Sequence, residues 1–292
     1  MAKFLITGSK GQVGYCLVQQ LTGKADILAV DRDELDITDK DQVYQTVQEF
    51  QPDIIINAAA HTAVDKAESE IELSEAINVY GPQYLAEAAN KIGATILHIS
   101  TDYVFNGEGS QAYKETDETG PQGVYGKTKL AGEIAVQQAN PRSVILRTAW
   151  VFGEHGHNFV KTMLRLGKER DTLGIVGDQF GGPTYAGDIA AALIKIANEI
   201  LKGRNDVFGV YHFTGQPYVS WFEFAQAIFT QAESKKLLEK RPHLNSIATT
   251  DYPTPAKRPA NSRLDLSKIK QTFAIEPSDW QKALENIKAY SM

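Results

Sequence analysis

A tyrosine and a lysine four residues apart, Tyr125 and Lys129, have the spacing that places two side chains on one face of a helix. A phenol ordinarily titrates near pKa ~10, too high for easy proton exchange at neutral pH. A neighbouring ammonium group favours the phenolate and lowers that pKa. Thr101, at the end of an apolar run, adds a hydroxyl. These residue types can exchange a proton with a hydroxyl or carbonyl oxygen, and we predict that they form a catalytic set.

The start of the chain predicts a binding site for a dinucleotide cofactor. Residues 4–7 are an apolar segment typical of a short buried strand, and residues 15–21 fit a helix. Glycines separate the two, so backbone N–H groups and the helix N-terminus can receive a pyrophosphate. The spacing differs from Gly-x-Gly-x-x-Gly, and taken alone it also fits a plain turn. The residues assigned to this turn are Gly8, Gly11, Gln12, Val13 and Gly14.

A second predicted strand, residues 27–30, ends at the position where an acidic residue meets the adenosine ribose. Asp31 favours the free 2′-hydroxyl of NAD, whereas Arg32 could bind the 2′-phosphate of NADP. The sequence therefore leaves NADH and NADPH open, and Asp31 could also be a simple turn residue. Asp36 and Ile37 could bracket the adenine, although Asp36 or Thr38 is equally easy to explain as a helix cap.

A third predicted strand, residues 54–60, ends in three small side chains, Ala58, Ala59 and Ala60. Small side chains let a cofactor lie close to the backbone, and ligands bind at the carboxyl edge of open α/β sheets. Thr62 follows in a loop and is assigned to the same site. His61 is interpreted as a packing or hydrogen-bonding residue rather than a catalyst.

Up to about residue 150, strands alternate with helices, a pattern typical of parallel strands covered by helices on both faces. We expect a doubly wound, Rossmann-type α/β fold formed by residues 1–152 and about 184–214. After that, strands and helices alternate less regularly, so residues 153–183 and 215–292 are expected to form a smaller α/β substrate-binding domain. Further strands are predicted at residues 94–101, 144–147 and 209–214, and helices at residues 43–50, 68–93, 158–168, 188–201 (capped by Asp188), 221–231 and 280–290.

Composition excludes several classes of protein. The net charge of −6 over 292 residues argues against a general nucleic-acid binder. A single cysteine, Cys16, excludes an internal disulfide framework and fits a reducing compartment. No apolar run approaches the ~20 residues of a membrane span, and the N-terminal stretch does not fit a signal peptide. We therefore expect a cytoplasmic protein without nucleic-acid or membrane partners.

Taken in this order, the features resemble the extended short-chain dehydrogenase/reductase family over essentially the whole chain. The family pattern Thr-Gly-x-x-Gly-x-x-Gly matches residues 7–14. Residues 57–68, 100–105 and 258–265 narrow the resemblance to family members that reduce a dTDP-linked 4-keto sugar. Tyr103 follows Asp102 where sugar 4,6-dehydratases carry a glutamate, which favours simple reduction. The alternatives are a reductase of another nucleotide-linked 4-keto sugar and a non-catalytic NAD(P)-binding regulatory subunit.

The resemblance implies hydride transfer from NADPH or NADH to C4 of the sugar. Tyr125 would donate a proton to the C4 oxygen, Lys129 would lower the Tyr125 pKa and bind the nicotinamide ribose, and Thr101 would hydrogen-bond the same oxygen. The resemblance does not decide between a monomer and a homodimer. It also allows a bound Mg²⁺ ion, to which no ligands are assigned.

The substrate residues are a separate expectation. Trp150 would line the sugar pocket, with a core position as the alternative. Arg258 is one of the basic residues of a proline-rich segment, and it would bind the substrate diphosphate. His155 and His157 lack further ligands nearby and do not make a metal site. The complete substrate-binding set is Ser100, Thr101, Asp102, Tyr103, Trp150 and Arg258.

Overall fold

The computed structural model describes residues 1–291. The strands are β1 (Lys3–Thr7), β2 (Asp26–Val30), β3 (Ile54–Asn57), β4 (Thr95–Thr101), β5 (Ser143–Thr148), β6 (Val151–Phe152), β7 (Thr172–Val176), β8 (Phe180–Gly181), β9 (Thr184–Tyr185), β10 (Gly209–His212), β11 (Val219–Ser220), β12 (His243–Ile247) and β13 (Asn261–Ser262). The α-helices are α1 (Gln12–Leu21), α2 (Lys40–Phe50), α3 (Val64–Ala67), α4 (Ile71–Glu75), α5 (Gly81–Lys91), α6 (Val124–Ala139), α7 (Phe159–Glu169), α8 (Ala186–Leu201), α9 (Trp221–Ser234), α10 (Ser267–Phe273) and α11 (Trp280–Leu284).

The main sheet has six parallel strands in the order β2-β1-β3-β4-β5-β10. Its central strands are buried on both faces, as expected for a parallel sheet covered by helices. The chain order reverses beside β1, which pairs with β2 on one side and β3 on the other. That reversal opens a crevice at the carboxyl ends of the strands, where ligands bind in such sheets. The predicted doubly wound fold is confirmed.

The two faces of the sheet carry separate hydrophobic cores, because successive strand residues point to opposite sides. Phe4 and Ile6 pack with residues of α1, α8 and α10 on one face. Leu5 packs with α2, α5 and α6 on the other. A third core joins α7, β7, α9 and α11 and includes Phe224 and Trp280. The division into a cofactor-binding and a smaller substrate-binding domain stays a prediction.

The helix predicted over residues 68–93 is interrupted. It is formed by α4, a π-helical turn at Ala76–Tyr80, and α5, while α3 lies in the segment predicted as a loop. Pro82 lacks the N–H that would bond the carbonyl of Asn78, and its ring clashes with that carbonyl in a regular α-helix. The Asn78 carbonyl instead packs against α6, where a Cβ on Gly132 would lie 2.0 Å from it.

Two predicted helix ends differ from the structure. Tyr185, not Asp188, is the N-cap of α8, and the Asp188 carboxylate accepts a hydrogen bond from Ser278 Oγ at 2.6 Å. The terminal helix is shorter than predicted, because α11 is followed by a 3₁₀ turn at Ile287–Ser291. Among residues 1–291, no helix has the length and apolarity needed to cross a membrane.

Candidate functional site

A cleft of about 1440 Å³ lies at the carboxyl edge of the main sheet. It extends from the glycine turn after β1 to residues of α7, β7 and α9. Gly14 is the one predicted site residue that does not line it. The predicted residues that do line the cleft are Gly8, Gly11, Gln12, Val13, Asp31, Arg32, Asp36, Ile37, Ala58, Ala59, Ala60, Thr62, Ser100, Thr101, Asp102, Tyr103, Tyr125, Lys129, Trp150 and Arg258.

The glycine turn brings three backbone segments together. Gly8 has φ +66°, and a Cβ there would lie 2.6 Å from the backbone nitrogen of Ala59. A Cβ on Gly14 would lie 2.0 Å from the Gly8 oxygen, so this glycine lets α1 pack directly on the turn. Gly11 is the N-cap of α1 and makes no side-chain capping bond. The first N–H groups of α1 therefore remain available, which fits a pyrophosphate.

The end of β2 is tied to this turn by Asp31. Its carboxylate accepts hydrogen bonds from the backbone N–H of Lys10 at 2.9 Å and of Arg32 at 2.8 Å. The Arg32 side chain lines the cleft beside it. Asp36 accepts two hydrogen bonds from Thr38, which lower the pKa of its carboxyl. The N-cap of α2 is Asp39 rather than Asp36 or Thr38.

The predicted catalytic residues come from β4 and α6. Thr101 ends β4, and its hydroxyl accepts from the Tyr103 N–H at 3.2 Å and donates to Asp102 Oδ1 at 3.1 Å. Tyr125 lies in the first turn of α6, with its ring edge-on to that of Tyr103. Lys129 is one turn further, buried, and its Nζ donates to the carbonyl oxygen of Ile99 at 2.7 Å. The structure thus brings the three residues to one wall of the cleft.

Burial dominates the electrostatics of this wall. It raises the pKa of Tyr125 to about 12. Lys129 is not among the groups that shift this pKa, so its expected lowering of the Tyr125 pKa stays a prediction. Burial also lowers the pKa of Lys129 to about 8, opposed by Glu133, and raises that of Asp102 to about 6. At neutral pH the phenol holds its proton, which is the state that a proton donor needs.

Trp150 lines the cleft and stacks on Trp221, with ring centroids 3.6 Å apart and an angle of 13° between the planes. Its backbone is left-handed, with φ +52°, and its carbonyl accepts from the Thr184 N–H at 3.0 Å. Sequence reasoning missed Trp221. Its signal was present: Ser220 and Glu223 form a capping box that fixes the start of α9 next to the cleft.

Histidines in this region have structural partners. His61 Nε2 lies 2.9 Å from Glu70, and the His61 N–H donates to Asn78 Oδ1 at 2.8 Å, in line with a hydrogen-bonding residue. His155 Nε2 lies 2.8 Å from the Lys10 carbonyl oxygen. Within residues 1–291, no group of three or more His, Cys, Asp or Glu side chains is arranged to hold a metal ion. The residues present do not fit the suggested Mg²⁺, and no step is assigned to it.

Comparison with known proteins identifies the family. The model of the RmlD substrate binding domain matches residues 2–291. The dTDP-4-dehydrorhamnose reductase of Aggregatibacter actinomycetemcomitans is 57% identical over 293 residues, covering 100% of both chains.

Two solved structures are similar over nearly the whole chain. The dTDP-4-dehydrorhamnose reductase of Clostridium acetobutylicum has a TM-score of 0.91 at 41% identity, covering 98% of each chain. The reductase of the same name from Bacillus anthracis, in complex with NADP, has a TM-score of 0.90 at 38% identity, covering 99% of each chain. The chain belongs to the dTDP-4-dehydrorhamnose reductase family, within the extended short-chain dehydrogenases/reductases.

Proposed function

We propose that the protein reduces the C4 keto group of dTDP-4-dehydro-L-rhamnose to dTDP-L-rhamnose, with NADPH or NADH as the reductant. This reaction is the last step of dTDP-rhamnose synthesis for cell-surface polysaccharide. One observation carries the proposal: Thr101, Tyr125 and Lys129 line the same cleft as a dinucleotide-type glycine turn. The family relationship supports the substrate, and we place the reaction in the cytoplasm, where a free cysteine such as Cys16 stays reduced.

Residues at the carboxyl edge of the sheet would hold the cofactor. The glycine turn and the N-terminus of α1 receive the pyrophosphate. Asp31 and Arg32 would bind the adenosine ribose, and Asp36 and Ile37 would hold the adenine. Ala58 to Ala60 and Thr62 would also line the cofactor site, where small side chains permit close approach to the backbone.

The reduced nicotinamide supplies the hydride when it is bound. Tyr125 donates its phenolic proton to the oxygen at C4, and Thr101 hydrogen-bonds the same oxygen. Loss of the proton leaves a buried phenolate, an unfavourable state in an apolar site. Lys129, fixed by the Ile99 carbonyl oxygen, is the cation on the same helix face that can stabilise it.

The substrate occupies the other half of the cleft. Ser100, Asp102 and Tyr103 lie beside the catalytic residues, and Trp150 forms a flat apolar wall with Trp221 for the sugar. Arg258 meets the diphosphate, since a guanidinium group matches phosphate oxygens. Residues 153–183 and 215–292 form the substrate-binding part in this proposal.

The test is turnover by the purified protein. NADPH and then NADH are mixed with dTDP-4-dehydro-L-rhamnose, cofactor oxidation is followed by absorbance, and the product is identified by NMR. Oxidation with formation of dTDP-L-rhamnose supports the proposal. If the cofactor is oxidised only with another nucleotide-linked 4-keto sugar, that sugar is the substrate instead. If the protein binds the cofactor but turns over no sugar, it is a regulatory subunit.

A further inference from the structure

Arg258 belongs to a proline-rich segment, residues 252–259, which we call the strap. Tyr252, Thr254, Arg258 and Pro259 line the cleft. The strap is anchored after Arg258, where Pro259 packs so tightly that a Cβ on Gly107 would lie 2.5 Å from it. The Arg258 side chain itself is about a quarter exposed, at 24%. What orients this long side chain therefore decides what it can bind.

Asp65 holds the strap at two points. Its Oδ1 accepts from the Ala256 N–H at 3.2 Å, and its Oδ2 accepts from Arg258 Nη2 at 2.7 Å. Asp65 lies on α3 and lines the cleft, as Thr62 and Ala63 do just before that helix. One carboxylate thus connects the cofactor side of the cleft to both the backbone and the guanidinium of the strap.

The second terminal nitrogen of Arg258 is unpaired. Arg258 Nη1 is buried and has no hydrogen-bond partner in residues 1–291. Burying a charged donor without a partner costs free energy, and such a group in a native structure calls for a ligand or a bound water. Nη1 is shielded from the cleft, but the Arg258 side chain as a whole lines the cleft and is partly exposed, so its guanidinium group can bind an anionic oxygen there.

We infer that Asp65 is a positioning residue that fixes Arg258 to bind a diphosphate oxygen of the substrate. Asp65 occupies Nη2 and fixes the Ala256 backbone, so the guanidinium keeps one orientation before the substrate arrives. Preordering of this kind strengthens binding by reducing the ordering cost. The inference rests on the proposed function, because it takes a nucleoside-diphosphate sugar as the substrate.

Asp65 has two opposite effects on the binding of a diphosphate, so the direction in which the Kd changes distinguishes them. A carboxylate near an anion repels it, so removing the charge by itself would tighten binding of a diphosphate. Loss of the orientation of Arg258 would weaken it. Weaker binding after Asp65→Asn is therefore the signature of positioning.

The experiment measures binding of dTDP to the full chain by calorimetry, with NADP⁺ present at saturation. Four proteins are compared: wild type, Asp65→Asn, Arg258→Gln and the double variant. Arg258→Gln should raise the Kd by about tenfold to a hundredfold, the value of a lost charged hydrogen bond. Asp65→Asn should raise it by about fivefold, and the double variant should bind no more weakly than Arg258→Gln alone. Thymidine, which lacks phosphate, should bind all four alike.

Glu72→Gln on the exposed side of α4 is the matched control for the change in charge, and it should leave the Kd unchanged. Asp65→Glu is a second variant that keeps the charge and loses the geometry, and it should also weaken binding. An unchanged or tighter Kd for Asp65→Asn, or effects that multiply in the double variant, would overturn the inference. If dTDP binds the four proteins as expected but the wild type does not reduce the sugar, only the proposed function is refuted. If the wild type reduces the sugar but the effects of the two substitutions on the Kd multiply, only this inference is refuted.

Discussion

Arg147 donates two hydrogen bonds to Glu133, from Nε to Oε1 at 2.9 Å and from Nη2 to Oε2 at 2.7 Å. Both side chains are almost fully buried, and Ser100 donates to the same carboxylate at 2.5 Å. Glu133 lies one turn beyond Lys129 on α6, and Arg147 lies on β5. The pair therefore ties α6 to β4 and β5 directly behind the proposed catalytic residues, and it fixes the position from which Lys129 reaches Ile99.

Tyr125→Phe removes the proposed proton donor and little else, because the ring keeps its contact with Tyr103. We expect kcat to fall by about 10²–10⁴-fold, the usual contribution of a general acid. The Kd of NADPH, measured by fluorescence titration, should not change. Tyr80→Phe, at an exposed tyrosine outside the cleft, serves as the control. A Tyr125→Phe protein with nearly full kcat would remove Tyr125 from the mechanism.

The activity should fall on the alkaline side as Lys129 loses its proton. Burial lowers the pKa of Lys129 to about 8, so the ammonium is present below that pH and lost above it. Since kcat/KM reports on groups of the free enzyme, its profile should decline as the pH rises through about 8. Tyr125, with a pKa near 12, does not contribute in this range. A flat profile up to pH ~10 would contradict a role for the Lys129 charge.

Arg32→Ala should discriminate between the two cofactors. Only NADPH carries a 2′-phosphate, and the Arg32 side chain lines the cleft beside Asp31. We expect the KM for NADPH to rise by about tenfold, in keeping with the loss of one charged hydrogen bond. The KM for NADH, which is the internal control, should stay the same. An equal rise in the KM of both cofactors would show that Arg32 does not bind the 2′-phosphate.

Asp102→Asn should stabilise the protein at neutral pH. Burial raises the pKa of Asp102 from 3.8 to about 6, so between these values the folded protein holds more of the proton than the unfolded chain. Stability therefore falls as the pH rises through this window, by roughly 3 kcal/mol once the carboxyl is ionised. Unfolding in urea should show a larger gain for Asp102→Asn at pH ~8 than at pH ~4.5. An equal difference at the two pH values would contradict the raised pKa.

Gly14→Ala tests the contact beneath the glycine turn. The added Cβ would lie 2.0 Å from the backbone oxygen of Gly8, which cannot move without displacing the turn. We expect a loss of about 1–3 kcal/mol in the free energy of unfolding, together with weaker NADPH binding. Gly120→Ala is the control, because its Cβ meets only Asn106 at 3.4 Å. If both variants behaved alike, the close approach would not matter.

Local patterns in the sequence predicted the parts of the site that depend on local spacing. The glycine turn follows from three glycines between a strand and a helix, and the shared face of Tyr125 and Lys129 follows from their four-residue separation. The alternation of strands and helices was enough to predict the doubly wound sheet, because parallel strands require such crossovers. The interruption at Ala76–Tyr80 was missed, although Pro82 carried its signal.

Only the tertiary structure decided which distant groups meet and how deeply they are buried. The stacking of Trp150 on Trp221 and the bonds from Asp65 to the strap join segments far apart in the chain. The burial that raises the pKa of Tyr125 could not be predicted from the sequence, because spacing shows the neighbouring cation but not the desolvation of the phenol. Desolvation depends on all the elements packed around a group, and for Tyr125 those elements come together only in the folded chain.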